Sequence, residues 1–155
     1  MPSSQSSPEG NGTQPAIGCC ILFYDGSCGL CQRTVRWMLR HDSQGRLHFA
    51  PLQQPLASEV FTRHALDVQH TNSAVLVTHF GEPAERVVMR SGAILGCLGV
   101  LGGRWALLAA IARLVPRALR DGVYNWLARN RHGLFAIGES CPLPTADERA
   151  RFLDI

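Results

Sequence analysis

The chain has 155 residues, the size of one ordinary domain, and at 46% hydrophobic it can bury roughly two thirds of its unfolded surface. Charged residues make up only 17% and the net charge is +3, which argues against a long solvated coil and against a broad nucleic-acid surface. All 15 basic residues are arginine, so Schiff-base chemistry and a lysine-dependent phosphate loop are both excluded.

Residues 1–18 carry neither a basic start nor an apolar stretch and read as a disordered tail rather than a secretory leader. The expected compartment is therefore the cytosol. Six cysteines follow, at positions 19, 20, 28, 31, 97 and 141. In a reducing compartment an even count does not imply a framework of bridges, and a close pair points to catalysis or metal binding.

Residues 19–24 form an apolar run without alternation, the pattern of a central strand covered on both faces. Asp25-Gly26-Ser27 makes a turn, after which Leu30, Cys31, Thr34, Val35, Met38 and Leu39 recur at helical spacing up to His41. Residues 46–52 predict a second strand, stopped by Pro51 and Pro55, and Leu56, Val60, Phe61 and Leu66 predict a helix. Residues 74–80 and 86–89 read as a hairpin around Gly81-Glu82-Pro83, giving the order βαβαββ.

Ser91 is placed to cap a helix opening near Gly92. The apolar run over residues 93–115 is interrupted by Gly102-Gly103-Arg104, which predicts two packed helices of about ten residues each and not a membrane span. After Pro116, the residues Leu119, Val123, Trp126 and Leu127 make an amphipathic stripe flanked by arginines, expected to lie as a surface layer on the sheet. Residues 138–144 read as a loop, and Thr145-Ala146-Asp147-Glu148 as a cap opening a last helical turn.

The chemistry concentrates in Tyr24-Asp25-Gly26-Ser27-Cys28-Gly29-Leu30-Cys31, where two thiols lie three residues apart at a strand-to-helix junction. Unpaired N–H groups and the positive end of the macrodipole at a helix start favour thiolate over thiol. Cys28 is therefore the expected exposed nucleophile. Cys31, one turn further in on the apolar stripe, is expected to be more buried, less ionised and suited to resolving a mixed disulfide. Asp25 either exchanges a proton with the pair or caps the turn through its side-chain oxygen.

A lone CxxC is also half of a zinc site, so a zinc-stabilised binding module is the alternative. Cys19 and Cys20 are adjacent on a strand and point to opposite faces, which leaves Cys97, Cys141, His41 and His48 as scattered single ligands. Cys19, Cys20 and Cys97 read as core thiols, and Cys141 as a quiet thiol or a third redox partner. The groups Arg120-Asp121 and Arg129-Asn130-Arg131 read as solvated faces, although an arginine near an active thiolate would favour its ionised form.

From Asp25, Cys28 and Cys31 onward the chain resembles the DCC family of thiol-disulfide oxidoreductases. The likeness continues through Ser91-Gly92-Ala93-Ile94-Leu95, the stretch from Pro116 to Asp121, Val123-Tyr124, Ala128-Arg129-Asn130-Arg131 and Cys141-Pro142-Leu143-Pro144, over residues 19–153. The resemblance implies a thioredoxin-like fold and protein-disulfide reductase activity at Cys28 and Cys31. Thioredoxins place a cis-proline before the strand facing the CxxC, whereas His70-Thr71-Asn72-Ser73 stands there in this chain.

The expected protein is thus an α/β domain over residues 19–155, a thioredoxin-like mixed sheet with additional C-terminal helices. Its expected function is dithiol-disulfide exchange, with Cys28 attacking, Cys31 resolving and Asp25 orienting. No cofactor and no metal are expected. The expected partners are a disulfide-containing protein or small-thiol substrate and a recycling thiol system, with no nucleic acid; membrane association is not favoured, a membrane-peripheral or partner-docking subunit using the helices of residues 93–115 being the second rival.

Overall fold

The computed structural model describes residues 15–67, 73–134 and 145–153. Four strands, β1 (Cys20–Tyr24), β2 (Leu47–Pro51), β3 (Val75–Thr78) and β4 (Arg86–Met89), form one sheet in the order β2-β1-β3-β4. β1 runs parallel to β2 and antiparallel to β3, with Leu22 opposite Phe49 on one side and Leu76 on the other. The parallel step from β1 to β2 is made by α1 (Gly29–His41), and α2 (Pro55–Arg63) carries the chain from β2 toward β3. With α3 (Ser91–Leu101) following the β3–β4 hairpin, this is the thioredoxin-like arrangement.

The sheet is buried on both faces because β1 alternates between two cores. Ile21 and Phe23 face α2 with Ala57, Val60, Phe61 and Leu153; Leu22 and Tyr24 face α1 and α3 with Val35, Met38, Ala93 and Cys97. Phe23 and Phe61 meet edge to face at 5.6 Å, and each fully buried side chain of this size contributes roughly 1.5–3 kcal/mol. Gly96 lets α3 approach β3 closely, since a Cβ there would collide with the Leu76 side chain.

Gly102, at φ 74°, breaks the apolar run into α3 and α4 (Gly103–Arg113), as its glycines predict. α5 (Arg117–Leu134) follows Pro116 and packs against α1 and α3. No helix among the described residues is long and apolar enough to cross a membrane. Thr145 and Glu148 form the expected capping box on α6 (Ala146–Arg149). The chain then stitches onto the free edge of β2: the Phe49 N–H donates to the Arg151 carbonyl at 2.9 Å, and the Leu153 N–H to the Phe49 carbonyl at 2.9 Å.

Three expectations change. The cap position of α3 falls on Arg90, at φ 57°, and the Ser91 hydroxyl instead donates to the Asp121 carboxylate, tying α3 to α5. Leu66 lies beyond the end of α2 but still packs on its core. Leu119, Val123 and Trp126, expected to bury the stripe of α5, are exposed, because α5 turns Tyr124 and Arg131 inward instead. The proposed tail, positions 70–72 before β3 and the Cys141 loop fall outside the described residues, apart from residues 15–18. There the Gly18 N–H donates to the Phe80 carbonyl at 2.8 Å.

Candidate active site

The C-terminal end of β1 and the start of α1 are joined by a tight turn in which the Cys28 N–H donates to the Asp25 carbonyl at 3.1 Å. Asp25 locks this turn. Its Oδ1 accepts from the Ser27 amide at 3.0 Å and the Ser27 hydroxyl at 2.6 Å, the side-chain turn mimicry typical of aspartate. Gln53, just after β2, donates to the same oxygen at 3.1 Å, while its own carbonyl oxygen accepts from the Gly26 N–H at 3.3 Å. Gln32 on α1 donates to the Gly26 carbonyl at 2.6 Å. The turn is thereby held from both neighbouring elements.

Cys28 occupies the cap position of α1, and Cys31 lies one turn along the same helix. Both are free thiols. The Cys31 side chain lies within hydrogen-bonding reach of the Cys28 side chain and of the Asp25 backbone. Burial first, then the contact with Cys28 and the charge of Cys28, push the Cys31 thiol up to about 12, against the smaller opposing pull of the Asp25 backbone and Arg131. Cys31 is accordingly protonated at neutral pH.

The burial order is the reverse of the expected one. Cys28 is only 2% exposed and Cys31 is half-buried. The reason is tertiary: Cys31 lines a cavity of about 560 Å³ between α1, α3, α4 and α5, and Cys28 lies outside that lining. Tyr24, Val35, Ile94, Leu119, Tyr124 and Arg131 are among the other walls, and the surface is almost wholly apolar.

Two α5 residues close the site. Arg131 Nη2 pairs with Asp25 Oδ2 at 3.2 Å, with side chains only 12% and 11% exposed, and the Arg131 Nε–H is buried without a hydrogen-bond partner. The Tyr124 hydroxyl accepts from the Ala74 N–H at 2.8 Å, in the stretch leading into β3, and both sulfurs lie within its electrostatic reach. Burial alone would raise Asp25, but Ser27, Gln53 and Arg131 together hold its carboxyl below the ordinary aspartate value. Of the two roles weighed for Asp25, this geometry supplies the turn-capping one: an ionised group already engaged by four donors.

Sequence reasoning singled out Cys28, Cys31 and Asp25, and the fold brings all three together. It grouped Arg131 with a solvated face and gave Tyr124 no site role. The available signal was spacing, since Tyr124, Ala128 and Arg131 fall at i, i+4 and i+7 on one face of a helix. The remaining thiols stand apart. Cys19 and Cys20 pack on opposite faces of the sheet, Cys19 pushed up to about 11 by burial and by Cys20, while burial also raises the fully enclosed Cys97. Among the described residues no group of three or more His, Cys, Asp or Glu is placed to hold a metal ion.

A thioredoxin-like sheet with a dithiol at the start of its first helix defines the class, and comparison with known proteins narrows it. The family model of DCC1-like thiol-disulfide oxidoreductases matches residues 22–136, and the chain belongs to that family. It is 29% identical over 133 residues to the uncharacterized protein YuxK of Bacillus subtilis strain 168, covering 86% of this chain and 93% of that one. It is 28% identical over 123 residues to a DCC family protein of Arabidopsis thaliana named as chloroplastic, covering 79% of this chain and 69% of that one. No solved structure matches it. Membership supports a thiol-disulfide redox role.

Proposed function

We propose that residues 19–155 act as one domain that reduces disulfides, protein disulfides foremost, through Cys28 and Cys31. The observation that carries this reading is the juxtaposition of two free thiols, Cys28 at the cap position of α1 and Cys31 one turn along it, with their side chains within hydrogen-bonding reach. The Cys28 thiolate attacks one sulfur of a substrate disulfide; that S–S bond breaks, a Cys28–substrate disulfide forms and the first substrate thiolate leaves. Cys31 then gives up its proton, which the departing thiolate takes, and its sulfur attacks Cys28. The second substrate sulfur leaves as a thiolate and takes up a proton from water.

The net change transfers two electrons from the pair to the substrate and leaves a Cys28–Cys31 disulfide. A second dithiol system restores the reduced pair, and the cytosol is the compartment that supplies one. Asp25 and Arg131 are positioning residues in this scheme: the carboxylate holds the turn that sets Cys28, and the guanidinium keeps positive charge beside the sulfurs. Because Cys28 is buried in the dithiol form, attack requires local opening around the turn and Tyr124.

Reduction of insulin by a dithiol, followed with the wild type, Cys28→Ser and Cys31→Ser, tests the assignment. Turnover is expected to vanish in Cys28→Ser, and Cys31→Ser to accumulate a mixed disulfide at Cys28 visible by mass spectrometry. Equal turnover in all three proteins overturns it.

A further inference from the structure

The helices beyond the sheet carry two apolar stripes that no described part of the chain covers. On α4 and its C-terminal cap, Leu107, Ile111 and Leu114 stand at i, i+4 and i+7; on α5, Leu119, Val123 and Trp126 repeat the same spacing. These six residues are between 55 and 84% exposed, with Leu114 highest at the corner between the helices. Helical periodicity of this kind ordinarily marks a buried face, and large exposed apolar patches mark interaction sites.

Charge identifies the occupant. Residues 103–134 hold six arginines against one aspartate, a net +5 in a chain of net +3, so the rest of the chain is net −2. Arg104, Arg113, Arg117 and Arg129 are exposed on these two helices. A second copy meeting this face by two-fold symmetry would set arginines against arginines, whereas an anionic bilayer surface complements them. Leucine, isoleucine, valine and an exposed tryptophan with arginine flanks are also the composition of helices that lie in a membrane interface.

We propose that the α4–α5 face docks the protein peripherally on anionic lipid. This revises the expectation against membrane association and takes up its rival, a membrane-peripheral subunit, on α4 and α5. Val115, Leu119 and Val123 belong both to the exposed face and to the cavity beside Cys31, so docking sets that cavity near the lipid. The docking itself does not rest on the redox reading.

Co-sedimentation of the full chain with phosphatidylcholine vesicles containing phosphatidylglycerol, and with phosphatidylcholine alone, tests it. Binding to the mixed vesicles is expected, falling as salt rises. The double variant Leu114→Glu/Trp126→Glu should bind roughly tenfold more weakly or worse. Both sites are exposed, and an unchanged circular dichroism spectrum checks that the fold is kept. The proposal is overturned by no sedimentation with mixed vesicles, by equal binding to both compositions, or by light scattering that shows a dimer which Leu114→Glu dissociates.

Discussion

β1 has a cysteine pair at each end, and the two pairs behave differently. At its start, Cys19 and Cys20 are neighbours in sequence, yet the period of two in a strand sends one side chain to each face of the sheet. Beyond its end, Cys28 and Cys31 are three residues apart and the helix turn brings them into hydrogen-bond contact. Sequence distance is thus a poor guide to sulfur distance. The helix also adds an asymmetry of environment that the strand lacks, because Cys31 lines the cavity beside α5 while Cys28 lies outside it.

The largest effect expected from this contrast is on turnover. Cys28→Ser should lower disulfide reduction by roughly a thousandfold or more, while Cys19→Ser/Cys20→Ser should stay within about threefold of the wild type. Substantial loss in the second protein would erase the distinction between the pairs.

The Asp25–Arg131 pair comes next, since it anchors the redox end of β1. Arg131→Gln strands a largely buried carboxylate and should cost about 3 kcal/mol in urea unfolding. The double variant Arg131→Gln/Asp25→Asn should recover part of that loss. An Arg131→Gln rate profile that keeps the wild-type pH dependence would reduce Arg131 to a purely structural brace.

Titration of the thiols by ultraviolet absorbance sharpens the contrast further. In Cys28→Ala, Cys31 loses both a hydrogen-bonding neighbour and a neighbouring charge, so its value should move down from about 12. In Cys20→Ser, Cys19 loses only a charge and should move down from about 11 by less. Equal movement in the two variants would mean that the contact between Cys28 and Cys31 contributes nothing beyond charge.

The smallest effect is on acid stability. Asp25 has a folded value below its unfolded one, so its contribution is complete above about pH 4 and lost as pH falls through the folded value. Asp25→Asn should therefore unfold with a shallower dependence on pH below about pH 4. An unchanged slope would show that the donors around Asp25 do not favour its charged form.

Much of this molecule was legible in one dimension. Local patterns determined the order of strands and helices, the break at Gly102, the capping box at Thr145 and the placement of Asp25, Cys28 and Cys31 around one turn. Each depends on residues within a few positions of one another, where backbone geometry alone sets who can meet whom. The family resemblance likewise rested on motifs already in the chain.

What only the tertiary structure decided involves partners far apart in sequence. Gln53 and Arg131 reach Asp25 from the β2–α2 connection and from α5, and the cavity that half-exposes Cys31 exists only where α1, α3, α4 and α5 meet. The same packing turned α5 so that Tyr124 and Arg131 face inward and Leu119, Val123 and Trp126 face out. Periodicity can show that a helix has two faces, but which face the protein buries depends on the surfaces that arrive from elsewhere in the fold.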